Sequence, residues 1–415
     1  MIDADKILIL ISSTLILCYV SGLFYTKTKI PDIIWALGFG ILLGPILGVF
    51  DKELFLALSP IMSTAALIII LFEAGINVDI VLLMKTLAKS TILSITTIFT
   101  VIITVGCLVT IIMPQNFTLL QGMLLGTMIG SPCTIACFGV LGGLEKQISN
   151  IGNTRIILMM ESVIADPISI ISAISLIRMI MMPNVSTVDS LKTIFFTFVF
   201  SIGFGFIIGL LWAEVLHKLR GRPLNYIMTL AVLFPTYILT ERMIGHGGGP
   251  IAVLIFSLVI ANYNSLLKKI MVNSNVEIDR HILREVHEEI TFFIKSFFFV
   301  YIGLTATISG QYVLLGVGIF ALIQFLRYGV VTIIGRVLKF SPQEKILSRL
   351  IFALGLPAFV ISQLPFIFDP DRQYFPNPEI YPNLIMPIVL GTVLFAALMA
   401  PIIAKRQLAS KIADE

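Results

Sequence analysis

Unbroken apolar runs of about 20 residues recur along the whole chain and constrain its fold more than any other feature. A run of that length can cross a bilayer as a helix, whereas a membrane β-barrel needs alternating strands of about 10 residues. Only 13% of the 415 residues are charged, against about 25% in a soluble domain. The sequence therefore predicts a single all-α polytopic domain in a lipid bilayer, with no soluble domain and no nucleic-acid partner.

Thirteen transmembrane helices are predicted from the positions of these runs. Their expected bounds are 7–24, 33–50, 59–76, 88–113, 119–144, 155–182, 191–213, 224–241, 249–263, 290–308, 312–338, 346–366 and 385–404. Residues 264–289 are predicted to form a cytoplasmic connector between spans 9 and 10.

The lysines and arginines predict the orientation of the chain. One set of alternate loops, counted with the adjoining span ends and the C-terminal tail, holds 19 of the 28 basic residues, and the other set holds five. Cytoplasmic loops carry the excess of positive charge. We therefore predict a multi-pass protein of the plasma membrane with an odd number of spans. Its N-terminus should be external and its C-terminus cytoplasmic.

Two pairs of spans resemble each other across the chain. Span 3 ends in LIIILFEAGINVD and span 10 in FFFVYIGLTAT, while span 5 contains GTMIGSPCTIACFGVLGG and span 12 contains ALGLPAFVISQLP. Each pair is seven spans apart, so the second copy is inverted. We therefore predict two inverted repeats, at about residues 7–182 and 224–404, joined by a linker helix at residues 191–213. Broken helices at matching positions of such repeats indicate a transporter's midplane site.

Asp166 is the first candidate for that site. It lies eleven residues beyond Arg155, roughly 16 Å along a helix at 1.5 Å per residue and near the middle of a hydrocarbon core about 30 Å thick. Ser162 shares its helix face, and Pro167 frees a backbone carbonyl. These oxygens suit a hard cation, which prefers oxygen ligands. The alternative is a neutral, hydrogen-bonded structural aspartate.

Glu161 points about 140° away from Asp166 around the same helix and needs a partner of its own. Arg327 of span 11 is the first candidate for a structural ion pair, and Lys295 of span 10 is the second. Glu73, near the inner end of span 3, either extends to the membrane interface or lines the cytoplasmic approach to Asp166.

Span 5 places Ser131, Cys133 and Thr134 at mid-depth beside Pro132, which interrupts the helix. Their oxygen and sulfur atoms are further candidate ligands. The runs GFGILLG (38–44) and GFGFIIG (203–209) lie within spans and predict close helix packing rather than nucleotide binding.

Four segments carry a resemblance to a known family, namely LFEAGINVD, FFFVYIGL, ESVIADP and the broken span 5. Over essentially the whole chain, the sequence resembles the monovalent cation/proton antiporters of the NhaP type. The resemblance implies that Asp166 alternates between proton and cation. It implies that Ser162 is a cation ligand, that Glu73 is a peripheral ligand or part of the ion-access path, and that Glu161 pairs with Arg327. It also implies a homodimer, with spans 4–6 and 11–13 as a core that moves against a scaffold of spans 1–3 and 8–10.

Two positions depart from the family's pattern. The asparagine before the site aspartate is Ala165 here, and the Thr-Asp-Pro motif of the broken helix is read as Cys133, Thr134 and Ile135, which lacks the acid. The resemblance implies an antiporter of Na⁺ (or K⁺ or Li⁺) against H⁺ that serves pH homeostasis without a cofactor, and the single carboxylate at the site favours electroneutral exchange. The alternatives are an uncoupled channel or organic-ion symporter and a non-transporting sensor. A membrane enzyme is disfavoured because no nucleophile–base pair lies within a span.

Overall fold

A computed structural model of the chain describes residues 9, 11–20, 32–48, 52–77, 80–133, 137, 141, 144, 152–182, 187–219, 225–245, 247–270, 280–307 and 309–413. Across these residues the secondary structure is helical, and no β-strand occurs among them. The predicted all-α class is therefore confirmed.

The described helices overlap every predicted span. In chain order they are α1 (Ile11–Val20), α2 (Asp32–Ile41, continued by a π-helical turn over Leu42–Ile46), α3 (Lys52–Asn77), α4 (Ile80–Ile112), α5 (Leu119–Met128), α6 (Gly152–Met181), α7 (Thr187–Lys218), α8 (Asn225–Met243), α9 (Gly248–Ile270), α10 (Arg280–Thr305), α11 (Gly310–Val337), α12 (Pro342–Leu350), α13 (Leu356–Ser362), α14 (Leu364–Phe368), α15 (Ile380–Leu394, continued by a π-helical turn over Phe395–Met399) and α16 (Ala400–Ala413).

Six of the described helical stretches are long and apolar enough to cross a membrane, and five shorter apolar helices accompany them. Large apolar side chains cover outward faces, as on α11, where Leu314 is 77% and Phe325 is 74% exposed. Such faces are stable against lipid rather than water. The chain is therefore a membrane protein with several apolar helices, while the number of crossings and the inverted repeats stay predictions.

The chain divides into two compact units. Unit 1 comprises Met1–Ser63, Thr86–Ala173 and Lys295–Glu415, and unit 2 comprises Thr64–Lys85 and Ile174–Ile294. In unit 1, α4, α6 and α11 share a buried apolar cluster that includes Leu93, Ile157 and Val331. This cluster holds the three helices that carry most of the candidate site.

Glycines let helices approach closely in both units. In unit 1, a Cβ atom at Gly40 or Gly44 of α2 would collide with the backbone of α10 around Gly303. In unit 2, a Cβ atom at Gly205 of α7 would collide with the backbone of α9 at Ala252, and one at Gly209 would make tight contacts with Val259 and Phe256. The predicted packing role of both glycine-rich runs is confirmed.

Two helical paths in unit 1 are interrupted where the sequence has proline. The first break follows α5, because Pro132 lacks a backbone donor and restricts Ser131 to extended conformations. The second break is the non-helical segment 351–355 between α12 and α13. Ile351 is extended there, and α13 restarts with Pro357 in its first turn.

Candidate ion-binding site

The first break lies against Asp166. Ser131 is buried, and its hydroxyl donates to Asp166 Oδ1 at 2.5 Å. Asp166 itself is half-buried, on the middle turns of α6. A carboxylate and a hydroxyl from two separate segments therefore meet within unit 1.

Ser162 fixes the other side of the same break. One turn before Asp166 on α6, its hydroxyl donates to the carbonyl oxygen of Pro132 at 2.6 Å. Ser131 and Ser162 thus make reciprocal contacts between the broken segment and α6. Together with the Asp166 carboxylate they place several oxygen atoms close together, which is the ligand type that hard cations prefer.

The two breaks are joined by their backbones. The amide of Cys133 donates to the carbonyl of Ala353 at 2.7 Å. In the second break, the amide of Leu354 donates to Thr392 Oγ1 of α15 at 3.2 Å. Backbone groups that the interrupted helices leave unpaired are therefore satisfied by each other and by a neighbouring hydroxyl.

Glu161 and Arg327 form a fully buried ion pair beside the two breaks. Arg327 Nη2 donates to Glu161 Oε2 at 2.7 Å, and Arg327 Nη1 donates to Glu161 Oε1. Both side chains have no exposed surface. Two parallel hydrogen bonds of this kind are the strongest geometry for a charged pair, so the two charges are compensated inside the membrane.

Arg327 makes three further contacts. Its Nε donates to the carbonyl of Ser348 at 2.7 Å, and its Nη1 donates to Thr97 Oγ1 at 3.2 Å. Its guanidinium carbon lies 5.1 Å from the centre of the Phe352 ring. One side chain of α11 therefore connects α4, α6, the end of α12 and the second break.

Ala165 takes an apolar role. It is completely buried and packs against Ile98 and Ile102 of α4. A polar side chain at this position would face that apolar surface. In this chain, the hydrogen bonds of Ser131 and Ser162 connect α6 to the broken segment instead.

The remaining sequence candidates are placed as follows. Cys133 is buried where the two breaks meet, and Glu73 lies on α3 within unit 2. Thr134 is outside the described residues, and of Lys295 only the backbone, in α10, is described. Thr97 was missed from the sequence, because nothing distinguishes it from the other hydroxyl residues of span 4.

Pro132 gives a second register for the family's Thr-Asp-Pro motif. Aligned on the proline, the motif falls on Gly130, Ser131 and Pro132, so that Ser131 stands where the family has its acid. This register agrees with the geometry, because the hydroxyl that contacts Asp166 is that of Ser131.

Among the described residues, no group of three or more His, Cys, Asp or Glu side chains that could hold a metal ion occurs.

Interrupted helices that meet beside a carboxylate in a polytopic membrane protein are typical of secondary transporters. The solved structures that the chain resembles have this function. Two structures of the sodium proton antiporter MjNhaP1 from Methanocaldococcus jannaschii match it, each at 19% identity. The structure at pH 8 has a TM-score of 0.76 and covers 97% of this chain and 100% of its own. The electron-microscopy structure has a TM-score of 0.72, with 98% of each chain covered.

The family model for the transmembrane part of sodium/hydrogen exchangers matches residues 11–409. The chain therefore belongs to the sodium/hydrogen exchanger family. It is a transporter and not an enzyme, the transported ions are its substrates, and the family needs no cofactor.

Proposed function

We propose that the chain is an antiporter that exchanges Na⁺ (or K⁺ or Li⁺) for H⁺, with both ions competing for Asp166. The observation that carries the proposal is the hydrogen bond of the Ser131 hydroxyl to the Asp166 carboxylate at a helix break. Charged groups within a membrane are costly and mark ion pathways. Glu161 carries a structural charge that Arg327 compensates, which leaves Asp166 for the exchange.

The Ser131 hydroxyl suits both states of the site. A hydroxyl can donate one hydrogen bond and accept two. It donates to Asp166 when the carboxylate is ionised, accepts from Asp166 when the acid is protonated, and turns a lone pair towards a cation. Ser162 adds a second oxygen on the same face of α6, and the backbone carbonyl of Pro132 adds a third. The proposed Na⁺ ligands are thus Asp166, Ser162, Ser131 and the Pro132 carbonyl, and Cys133 and Thr134 remain sequence candidates for the same site.

The charge of the site supports electroneutral exchange. One carboxylate that carries either a proton or a monovalent cation has the same net charge on both journeys across the membrane. Neither the outward nor the inward step then transfers net charge through the transmembrane potential. We therefore propose exchange of one cation for one proton.

The breaks support an alternating-access mechanism, in which spans 4–6 and 11–13 move against a scaffold of spans 1–3 and 8–10. Within this proposal, Glu73 lies on the ion-access path, the protein is a homodimer of the plasma membrane, and its N-terminus is external. The two inverted repeats and the connector at 264–289 belong to the same proposal.

The test uses purified protein in liposomes that contain a pH-sensitive dye. Na⁺, K⁺ or Li⁺ is added outside, with and without a voltage clamp set by valinomycin and K⁺. Alkalinisation of the lumen that one or more cations drive and that voltage leaves unchanged is expected. Cation-driven current without proton movement would instead indicate a channel. No movement with any of the three cations would contradict the antiporter and favour an organic substrate or a sensor.

Ser131→Ala is expected to weaken cation binding without abolishing transport. A hydrogen bond to a charged group contributes about 1.5–3 kcal/mol, so the apparent KM for the cation should rise roughly 10- to 150-fold. The measurement is the initial rate of dye response against cation concentration.

Ser169→Ala is the matched control, because Ser169 is a completely buried serine of α6 whose hydroxyl makes no hydrogen bond to any described residue. Its KM should equal that of the unmodified protein. An unchanged KM in Ser131→Ala would show that the hydroxyl does not contribute to the cation site.

A further inference from the structure

Positive charge without matching carboxylates surrounds the turn between α11 and α12 in unit 1. Residues 310–350 contain five basic residues and one acid. Glu344, the acid, lies 3.0 Å from Lys89 Nζ, and Arg327 is paired with Glu161. The other four basic residues make no ion pair with any described residue, namely Arg336, Lys339, Lys345 and Arg349. The charge at this turn is therefore left for a partner outside the described chain.

Arg349 is fixed against the side of α11. Its Nη2 donates to Thr332 Oγ1 at 2.8 Å, and its guanidinium carbon lies 4.5 Å from the centre of the Tyr328 ring. Its Nε is buried and makes no hydrogen bond to any described residue. A guanidinium has five N–H donors, so most donors of this half-buried side chain are unused. An anion that reaches its exposed donors would stabilise a charge held in this way.

Two more of these charges lie next to that guanidinium. Tyr328, Thr332 and Arg336 follow one another at intervals of four residues and share one face of α11. On α12, Lys345 stands one turn before the stacked arginine. A Cβ atom at Gly335 would lie 3.1 Å from Lys345 Cγ, so the lysine stem crosses α11 beside Arg336. One arginine held by two contacts, an exposed arginine and a lysine thus form one basic surface.

This basic surface lies at the level of lipid headgroups. The 28 residues of α11 span about 42 Å at 1.5 Å per residue, which is the thickness of a bilayer with both headgroup regions. Thr332 lies five residues before Val337, the last residue of the helix. That distance is about 7.5 Å, which places Thr332 where the headgroups meet the hydrocarbon core. Ile333 and Val337 are largely exposed on the same helix, so an apolar surface adjoins the charges.

We propose that Arg349, Arg336 and Lys345 bind the phosphate of an anionic phospholipid whose acyl chains lie along Ile333 and Val337. Arginine matches phosphate with paired hydrogen bonds, and lysine adds a point charge. The uncompensated positive charge disfavours a lipid whose headgroup carries its own cation. The charge distribution predicts this turn to be cytoplasmic, and the cytoplasmic leaflet is the anionic one. The proposal holds whichever ion the protein transports.

The experiment is mass spectrometry of the intact protein in detergent, which counts bound lipids during titration with dioleoylphosphatidylglycerol or dioleoylphosphatidylcholine. We expect one copy of phosphatidylglycerol to bind more tightly than all further copies. Phosphatidylcholine should bind at least about fivefold more weakly than that copy, since each basic residue near an anionic headgroup contributes about fivefold in affinity. Inorganic phosphate at the same concentration should not displace the lipid, because it gains nothing from the apolar surface.

Substitutions locate the site. Arg349→Gln should weaken the first phosphatidylglycerol about tenfold or more, and Arg336→Gln about fivefold. The Arg336 side chain is exposed and makes no hydrogen bond or ion pair with a described residue, so this variant tests the proposal even if Arg349→Gln does not fold. Arg406→Gln is the matched control, at an exposed arginine of α16 that likewise makes no ion pair with a described residue, and it should leave binding unchanged.

Three results would overturn the proposal. The first is equal weakening by Arg336→Gln and Arg406→Gln, which would show that the general positive charge of the protein attracts the lipid. The second is equal affinity for the two lipids, and the third is displacement of phosphatidylglycerol by inorganic phosphate. Because the readout is lipid binding, none of these results depends on whether the protein exchanges cations for protons.

Discussion

Asp166→Asn is expected to reduce cation-driven proton movement to the level of protein-free liposomes. Asparagine keeps the size of the side chain and one oxygen, but it can neither release a proton nor neutralise a cation. The Ser131 hydroxyl can still donate to the amide oxygen, so the break keeps its contact with α6. The loss should therefore affect transport more than folding, and the dye assay in liposomes measures it.

Asp371→Asn is the matched control for this substitution, because it makes the same chemical change at an exposed position. Its rate should match that of the unmodified protein, and both variants should elute as a single species in detergent. Proton movement that persists in folded Asp166→Asn would show that another group carries the proton.

Removing either partner of the Glu161–Arg327 ion pair is expected to have the largest effect on stability. Removing one partner of a buried ion pair typically costs about 3–5 kcal/mol, since the other charge stays buried without compensation. Arg327→Met also removes the donors to Thr97 and to the Ser348 carbonyl. We therefore expect Arg327→Met to lose at least as much stability as Glu161→Leu, as measured by thermal unfolding in detergent.

The double variant Glu161→Leu with Arg327→Met should recover most of this loss, because replacing both charges by apolar groups is often neutral. Lys218→Met is the control, because its ion pair with Glu214, at 3.4 Å, joins two exposed side chains of one helix, which are 71% and 46% exposed. Its cost should stay below about 1 kcal/mol. An Arg327→Met protein that unfolds at the unmodified temperature would contradict the structural role.

The features that the sequence could predict are those with a large energetic signal. Unbroken apolar runs predict helices because backbone groups must pair internally in lipid. Of the basic residues within the predicted spans, only Lys295 and Arg327 lie five or more residues from a span end, so a buried acid had few partners to choose from. The structure brings Glu161 and Arg327 together, and it places Ser162 and Asp166 on one face of α6.

The features that escaped prediction depend on distances between segments far apart in the chain. Ser131 was among the predicted ligands, but its direct contact with Asp166 joins positions 35 residues apart, and the motif register through Cys133 and Thr134 pointed to other side chains. The contact of Arg327 with Thr97 joins positions 230 residues apart. A backbone carbonyl can accept a hydrogen bond whatever its residue type, so the sequence does not show which positions accept one.

The hydrogen bond from the Cys133 amide to the Ala353 carbonyl has a consequence for how such chains vary over evolutionary time. Both partners are main-chain atoms, so almost any residue type at either position preserves the bond, and proline at 133 is the exception because it lacks the hydrogen. Two distant homologues can therefore keep the same junction while sharing no side chains there. Low sequence identity around the breaks is thus compatible with an unchanged backbone connection between them.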